Sequence, residues 1–171
     1  MAGHAIVKMT DLKESFVAAG CKNVRTYIQS GNVVFECPEE QASKVFKKTA
    51  VHVRKLIGAE PEILFRTLGD LQDIVNAAPF KDLETERLIK LYVVFLSETP
   101  KAKPKLPLAF DKEALQVTSM GNLEVFVVSR RKPNGFFGFP NAFVEKEFGV
   151  SATSRNWSTV TKIIEFAQRA N

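Results

Sequence analysis

The sequence predicts an α+β fold built as two halves, and three observations carry that prediction. A Gly-centred turn between two β-rich runs occurs twice, in "RTYIQSGNVVFE" and again in "QVTSMGNLEVFVVS". Segments with helical apolar spacing flank and separate those runs along the chain. The chain of 171 residues, 45% hydrophobic and 25% charged, has the composition of an ordinary globular protein and can hold one large domain or two small ones.

Each element has its own local reason. Thr10 is placed to cap a first helix, with Asp11 and Glu14 near its start, an apolar stripe of Leu12, Phe16 and Val17, and Gly20 to close it. Val24–Ile28 and Val33–Phe35 form a hairpin around Ser30-Gly31-Asn32, where Gly supplies the positive φ that tight hairpin turns need. Pro38 opens a long helix that runs to Gly58, acidic residues first and Lys/Arg later, as the helix dipole prefers. Glu62–Thr67 reads as a short strand and Leu68–Ala78 as a helix. Arg87–Glu98 is the most hydrophobic strand and belongs at the centre of a sheet. A Pro/Lys loop, Pro100–Pro107, follows, then a second hairpin around Met120-Gly121-Asn122. Two helices finish the chain: Asn141–Phe148, stopped by Gly149, and one spanning roughly Asn156–Ala170.

That order suggests two split β-α-β-β-α-β units, residues 1–80 and 81–171, with the repeated turn at equivalent places in each. The first unit lacks its opening strand, since only Ala5-Ile6-Val7 precedes the first helix. A sheet edge left unpaired in this way looks for another chain, which makes a homodimer through that edge one expectation.

Composition narrows the function classes. Cys21 and Cys37 stand 16 residues apart without a CxxC spacing, and His4 and His52 are the only histidines, so no metal motif is written and both thiols read as small residues of a reducing compartment. No apolar run approaches the ~20 residues of a membrane span, and the N-terminus lacks a secretory signal, so a cytoplasmic protein without membrane partner is expected. The formal charge of +5 is uneven: residues 1–95 hold 13 Lys+Arg and 12 Asp+Glu, residues 96–171 hold 11 and 7. A basic second half draws anions, although solvated loops that keep the protein soluble would carry the same charge.

Four ordered motifs, "GHAIVKMTDL", "VRTYIQSGNVVFE", "PNAFVEKEFGV" and "TSRNWSTVTKI", resemble a widespread bacterial family known as domain of unknown function 1697. The resemblance covers nearly the whole chain. It implies two ferredoxin-like α+β halves, and an upstream strand ending in an Arg-Gly-Ile-Asn-type turn that this chain, starting at its Gly3-His4 segment, does not show. It brings no established activity.

Few of the residue types that carry chemistry have a suggestive setting. His4 and His52 have no Ser or Cys partner in a suggestive context, the carboxylates cluster as solvated helix starts and loops, and no Gly-rich phosphate loop is present. Two constellations stand out. In "SATSRNWST", Arg155, Asn156 and the sole tryptophan, Trp157, reach the start of a helix, where free N–H groups and a planar cation suit an anion. The turn residues Gln29, Ser30 and Asn32 would complete such a site in a groove between the halves. The same segment reads equally as a capped and packed helix start. In "SRRKPNGFFGFPNAF", Arg130, Arg131 and Lys132 stand beside Phe136, Phe137 and Phe139, the cation-plus-aromatic pattern of single-strand binders. The alternative is that the phenylalanines wedge the last helices onto the sheet. The expected ligand is therefore an anion, a nucleotide or single-stranded nucleic acid, with no cofactor. An assembly module, or an enzyme using Arg155, Lys146 or Lys8 on a phosphorylated small molecule, are the other classes.

Overall fold

A computed structural model of the chain describes residues 7–28, 31–83 and 87–169. It divides into two compact units, residues 1–63 and 64–171. The division comes earlier than the expected boundary after residue 80, because the helix after residue 67 packs its apolar face into the second unit's core.

The first unit is a hairpin with two helices. Helix α1, Met9–Ala18, begins after Lys8, so Thr10 lies inside the first turn rather than at the cap, where its hydroxyl donates to Asp11 at 3.3 Å. Strands β1, Lys22–Tyr27, and β2, Asn32–Glu36, pair antiparallel with Thr26 opposite Val33 and Tyr27 opposite Asn32. A single 3-10 turn, Glu39–Gln41, leads into α2, Ala42–Ile57, and Gly58 ends it in the left-handed conformation at φ 68°. Phe16, Val24, Val45 and Val53 are buried, and Phe35 meets Phe16 and Phe46 at ring distances of 5.3 and 6.3 Å. Val17 is exposed and so lies off the expected stripe. Cys21 is buried against the Thr49 hydroxyl, and its burial pushes the thiol pKa up. The opening strand whose absence was expected falls on residues 1–6, which lie outside the described residues.

The second unit has three layers. Its sheet holds β3 (Ile89–Leu96), β4 (Leu108–Phe110), β5 (Leu115–Met120), β6 (Glu124–Arg130) and β7 (Ala152–Asn156) in the order β4-β5-β6-β3-β7, each pair antiparallel. Helix α4, Asn141–Phe148, covers one face, and α3, Leu68–Asn76, with α5, Trp157–Gln168, covers the other. Because both faces are covered, β3 from Leu91 to Leu96 and β6 from Val125 to Val128 are continuously apolar: Tyr92, Val94, Val125 and Val127 point to one layer, Val93, Phe95, Phe126 and Val128 to the other. The sequence expectation that β3 is central holds.

Two expectations are corrected. Glu62–Thr67 forms no ladder; Leu64 packs into the core and the Arg66 side chain, rather than main-chain pairing, ties the segment down. Ala152–Asn156, read as the approach to a helix, is an edge strand whose Ala152 and Ser154 are buried, Arg155 half-buried and Asn156 exposed. The α+β class holds; among the described residues the first unit has a two-stranded sheet, and the connection from β3 to β5 carries β4 and a 3-10 turn rather than a helix.

The two Gly turns also differ. Gly31 has φ 75°, as expected, whereas Gly121 is not in the left-handed region. At Gly121 a Cβ would run into the Glu124 carboxylate, which accepts from the Asn122 and Leu123 amides at 3.1 and 3.2 Å. One turn needs glycine for its backbone angle; at the other a side chain would have only to displace the flexible Glu124 carboxylate.

Candidate functional site

The Arg155–Trp157 segment is built into the second unit. Arg155 lies on β7 opposite Val93 and donates from Nη1 to the Thr153 hydroxyl at 3.0 Å and to the Ser154 carbonyl at 2.8 Å. Its burial lowers the guanidinium pKa, the mark of a cation shielded from water. Trp157 begins α5 and packs edge-on to Phe80, ring centroids 5.3 Å apart, on the α3/α5 side of the sheet. Asn156 stands at the N-cap with no side-chain cap bond, so its expected capping role is not realised. Behind the strand, Asn141 and Glu145 of α4 hold β7: Asn141 Nδ2 donates to the Ala152 carbonyl at 3.1 Å, the Ser154 hydroxyl donates to Asn141 Oδ1, and the Ala152 amide donates to Glu145 at 2.9 Å.

The turn residues proposed to complete that site belong to the first unit. Gln29 and Ser30 lie outside the described residues. Asn32 opens β2 and donates from Nδ2 to the Tyr27 carbonyl at 3.3 Å, across the hairpin turn.

The connection from β6 to α4 is different in kind. Phe136 is 70% exposed and Phe139 61%, so neither wedges a helix onto the sheet. Phe139 touches Tyr92 edge-on at 6.0 Å, on the α4 side. Phe137 is half-buried with the Lys90 ammonium 4.7 Å above its ring. Around these rings lie exposed Leu88, Lys90, Arg130 and Arg131. Arg131 pairs with Phe137 through an isolated bridge, donates from its backbone amide to the Leu88 carbonyl at 3.0 Å, and donates from Nε to the Gly135 carbonyl at 3.1 Å. That bond lays its guanidinium beside the chain that carries Phe136. Arg130 reaches Gln116 at 3.4 Å.

Lys132, expected among the ligand contacts, is instead an anchor. Its Nζ sits 2.8 Å from the Glu113 carboxylate, and that hydrogen bond and charge hold the Glu113 pKa below the usual carboxylate range. Gly138 is pinned next to it: a Cβ there would collide with the Glu113 carbonyl, and the Gly138 carbonyl accepts from the buried Ser129 hydroxyl at 2.9 Å. Two side chains and one close backbone approach therefore hold the loop in one shape before any ligand arrives. Lys90 and the exposure of Phe139 were absent from the sequence-derived site. They become visible only when the start of β3 and the end of β6 are placed side by side, Ile89 opposite Arg130.

Sequence reading also missed a cleft of about 560 Å³ at the other end of the sheet, lined in part by Arg66, Asp70, Asp73, Met120, Glu124 and Phe126. Its cation is occupied. Arg66 donates to the carbonyls of Phe65, Leu96 and Leu123 at 2.8, 2.8 and 3.1 Å and lies 5.6 Å from the Phe95 ring, and burial lowers its pKa. Asp70 completes the capping box of α3 with Thr67. Three carboxylates line the cleft against one committed guanidinium, a balance that does not favour an anion. Among the described residues, no group of three or more His, Cys, Asp or Glu could hold a metal ion, and no helix is long and apolar enough to cross a membrane.

Comparison with known proteins names the family and leaves activity open. The chain is similar in fold to a conserved bacterial protein from Streptococcus pneumoniae, at 19% identity with a TM-score of 0.56, covering 98% of this chain and 93% of that one. None of the curated proteins matches. The model of a family described as protein of unknown function (DUF1697) matches residues 1–126, and the chain belongs to that family.

Proposed function

We propose that this protein binds an anionic ligand bearing an aromatic base, a nucleotide or single-stranded nucleic acid, on the second unit around the β6–α4 connection. The observation that carries this reading is Phe136, a phenylalanine 70% exposed in a loop that is otherwise bonded in place, beside Arg131. Holding a large ring in water costs free energy that folding normally recovers by burying it, so a ring kept out by a preorganised loop is suited to a partner. The cations supply attraction to phosphate, and the ring offers a face to a base. Lys132 is neutralised by Glu113 and positions the loop.

The test is fluorescence anisotropy of a labelled mixed-sequence oligonucleotide, with ATP as competitor, at low salt. The double variant Arg130→Ala/Arg131→Ala should lose most of the affinity while keeping the wild-type Tm, since exposed cations contribute little to stability. Wild-type protein that binds neither probe, or a double variant that binds as wild type does, overturns the proposal.

A further inference from the structure

Resting on that binding reading, we infer that the ligand is a single strand of nucleic acid rather than a mononucleotide or a duplex, and that its bases stack on Phe136 and Phe139, not on the adjacent Phe136 and Phe137. Phe137 already has the Lys90 ammonium over one face and is half-buried, so it has little face to offer. Phe136 and Phe139 are 70% and 61% exposed. They are three residues apart, at most about 10 Å along the backbone, a reach over which neighbouring bases of one strand can each meet a ring.

The setting favours a strand over the other two ligands. The cations are spread rather than convergent. Lys90 lies on β3, Arg130 ends β6 and Arg131 follows it, so they track a line of phosphates better than they clamp one. The loop is an open surface, while the cleft at the opposite end of the sheet is lined in part by acids. A duplex keeps its bases stacked on each other and offers a protruding phenyl ring only its backbone. Single strands present free base faces.

Gly138 gives the pair its geometry. It sits between the two rings with no room for a side chain against Glu113, and its carbonyl is held by Ser129. The ring spacing is therefore set before binding, which lowers the ordering cost of association.

The experiment measures, by anisotropy at low salt, binding of a labelled twelve-nucleotide thymidine strand, of a duplex of the same length, and competition by thymidine monophosphate. The strand should bind more tightly than the duplex, and the monophosphate should compete only weakly. Phe136→Leu and Phe139→Leu should each weaken strand binding roughly 5- to 150-fold, as for loss of one stacked base, while Phe136→Tyr keeps it. Neither leucine variant should change the dependence on salt, whereas Lys90→Ala should flatten the log–log slope by about 0.7, the share of one phosphate. Equal affinity for strand and duplex, or leucine variants that bind as wild type does, overturns the stacking inference. The wider proposal survives such a result if the Arg130→Ala/Arg131→Ala variant still loses binding. Absence of binding by the wild-type protein to every probe overturns both.

Discussion

Two stretches of the second unit use the same residue types and come to opposite ends. Arg155 and Trp157, on β7 and at the start of α5, are turned inward: the arginine donates to its own strand and the ring packs on Phe80. Arg131 and Phe136, after β6, are turned outward: the arginine is exposed, and the ring stands in water. An arginine near an aromatic is therefore no signature by itself. What separates the two is the neighbour each ring meets. Phe80, fully buried between α3 and the sheet, waits for Trp157, whereas nothing in the described residues covers Phe136.

The largest effect should come from removing the partner that turns Trp157 inward. Phe80→Ala deletes a side chain with no exposure, which also meets Phe126 at 5.7 Å, and should destabilise the second unit by about 3–5 kcal/mol, measured by denaturant unfolding. Emission of Trp157 should shift to the red in the folded variant as its ring gains water. An unchanged stability would mean that the inward stretch is not packed as described.

A smaller effect is expected where the outward loop is pinned. Gly138→Ala forces a Cβ into the Glu113 carbonyl and should cost about 1–3 kcal/mol, the range for overpacking, while moving Phe139 relative to Phe136. Oligonucleotide affinity should fall with it, although no ligand contact has been removed. Wild-type affinity in this variant would show that the loop's fixed shape does not matter to binding.

The smallest effect is titratable. The folded Glu113 pKa is depressed, chiefly by the hydrogen bond from Lys132 and then by its charge. The stability this pair contributes is accordingly complete above the unfolded carboxylate pKa and is lost as pH falls through the lower folded value. Wild-type and Glu113→Gln proteins should differ in Tm near neutral pH and converge in acid, with the difference small because the pair is partly exposed. A difference that does not depend on pH would assign the effect to something other than the charge pair.

The fold was readable where a local rule decides the outcome. Gly58 and Gly149 end α2 and α4 in the left-handed conformation, φ 68° and 70°, as glycine past a helix end should, and α4 runs over the residues expected. The apolar run Leu91–Leu96 announced an interior strand, and β3 pairs on both sides. Reading failed where long-range contacts decide. Ala152–Asn156 has the alternation of a half-buried strand, but in Ala, Thr, Ser, Arg and Asn, residue types that do not announce one; only pairing with β3 makes it so. Ile63, Leu64 and Phe65 look like strand and have no ladder to join. The candidate site followed the same division. "RRKPNGFF" was visible as cations beside rings, but the neutralisation of Lys132 by a glutamate 19 residues away, and the arrival of Lys90 over Phe137, belong to the fold.

Trp157 is the chain's one tryptophan and lies on the α3/α5 side of the sheet, while Phe139 lies on the α4 side with Tyr92. Its emission therefore reports directly on which stretch meets the ligand. Titration with a single-stranded oligonucleotide, followed at once by the anisotropy of a label on the strand and by tryptophan emission, should show anisotropy rising to saturation while emission keeps its wavelength and intensity. Quenching of Trp157 that saturates at the same concentration as the anisotropy would place a base against the inward stretch and contradict the assignment of binding to the Phe136 loop.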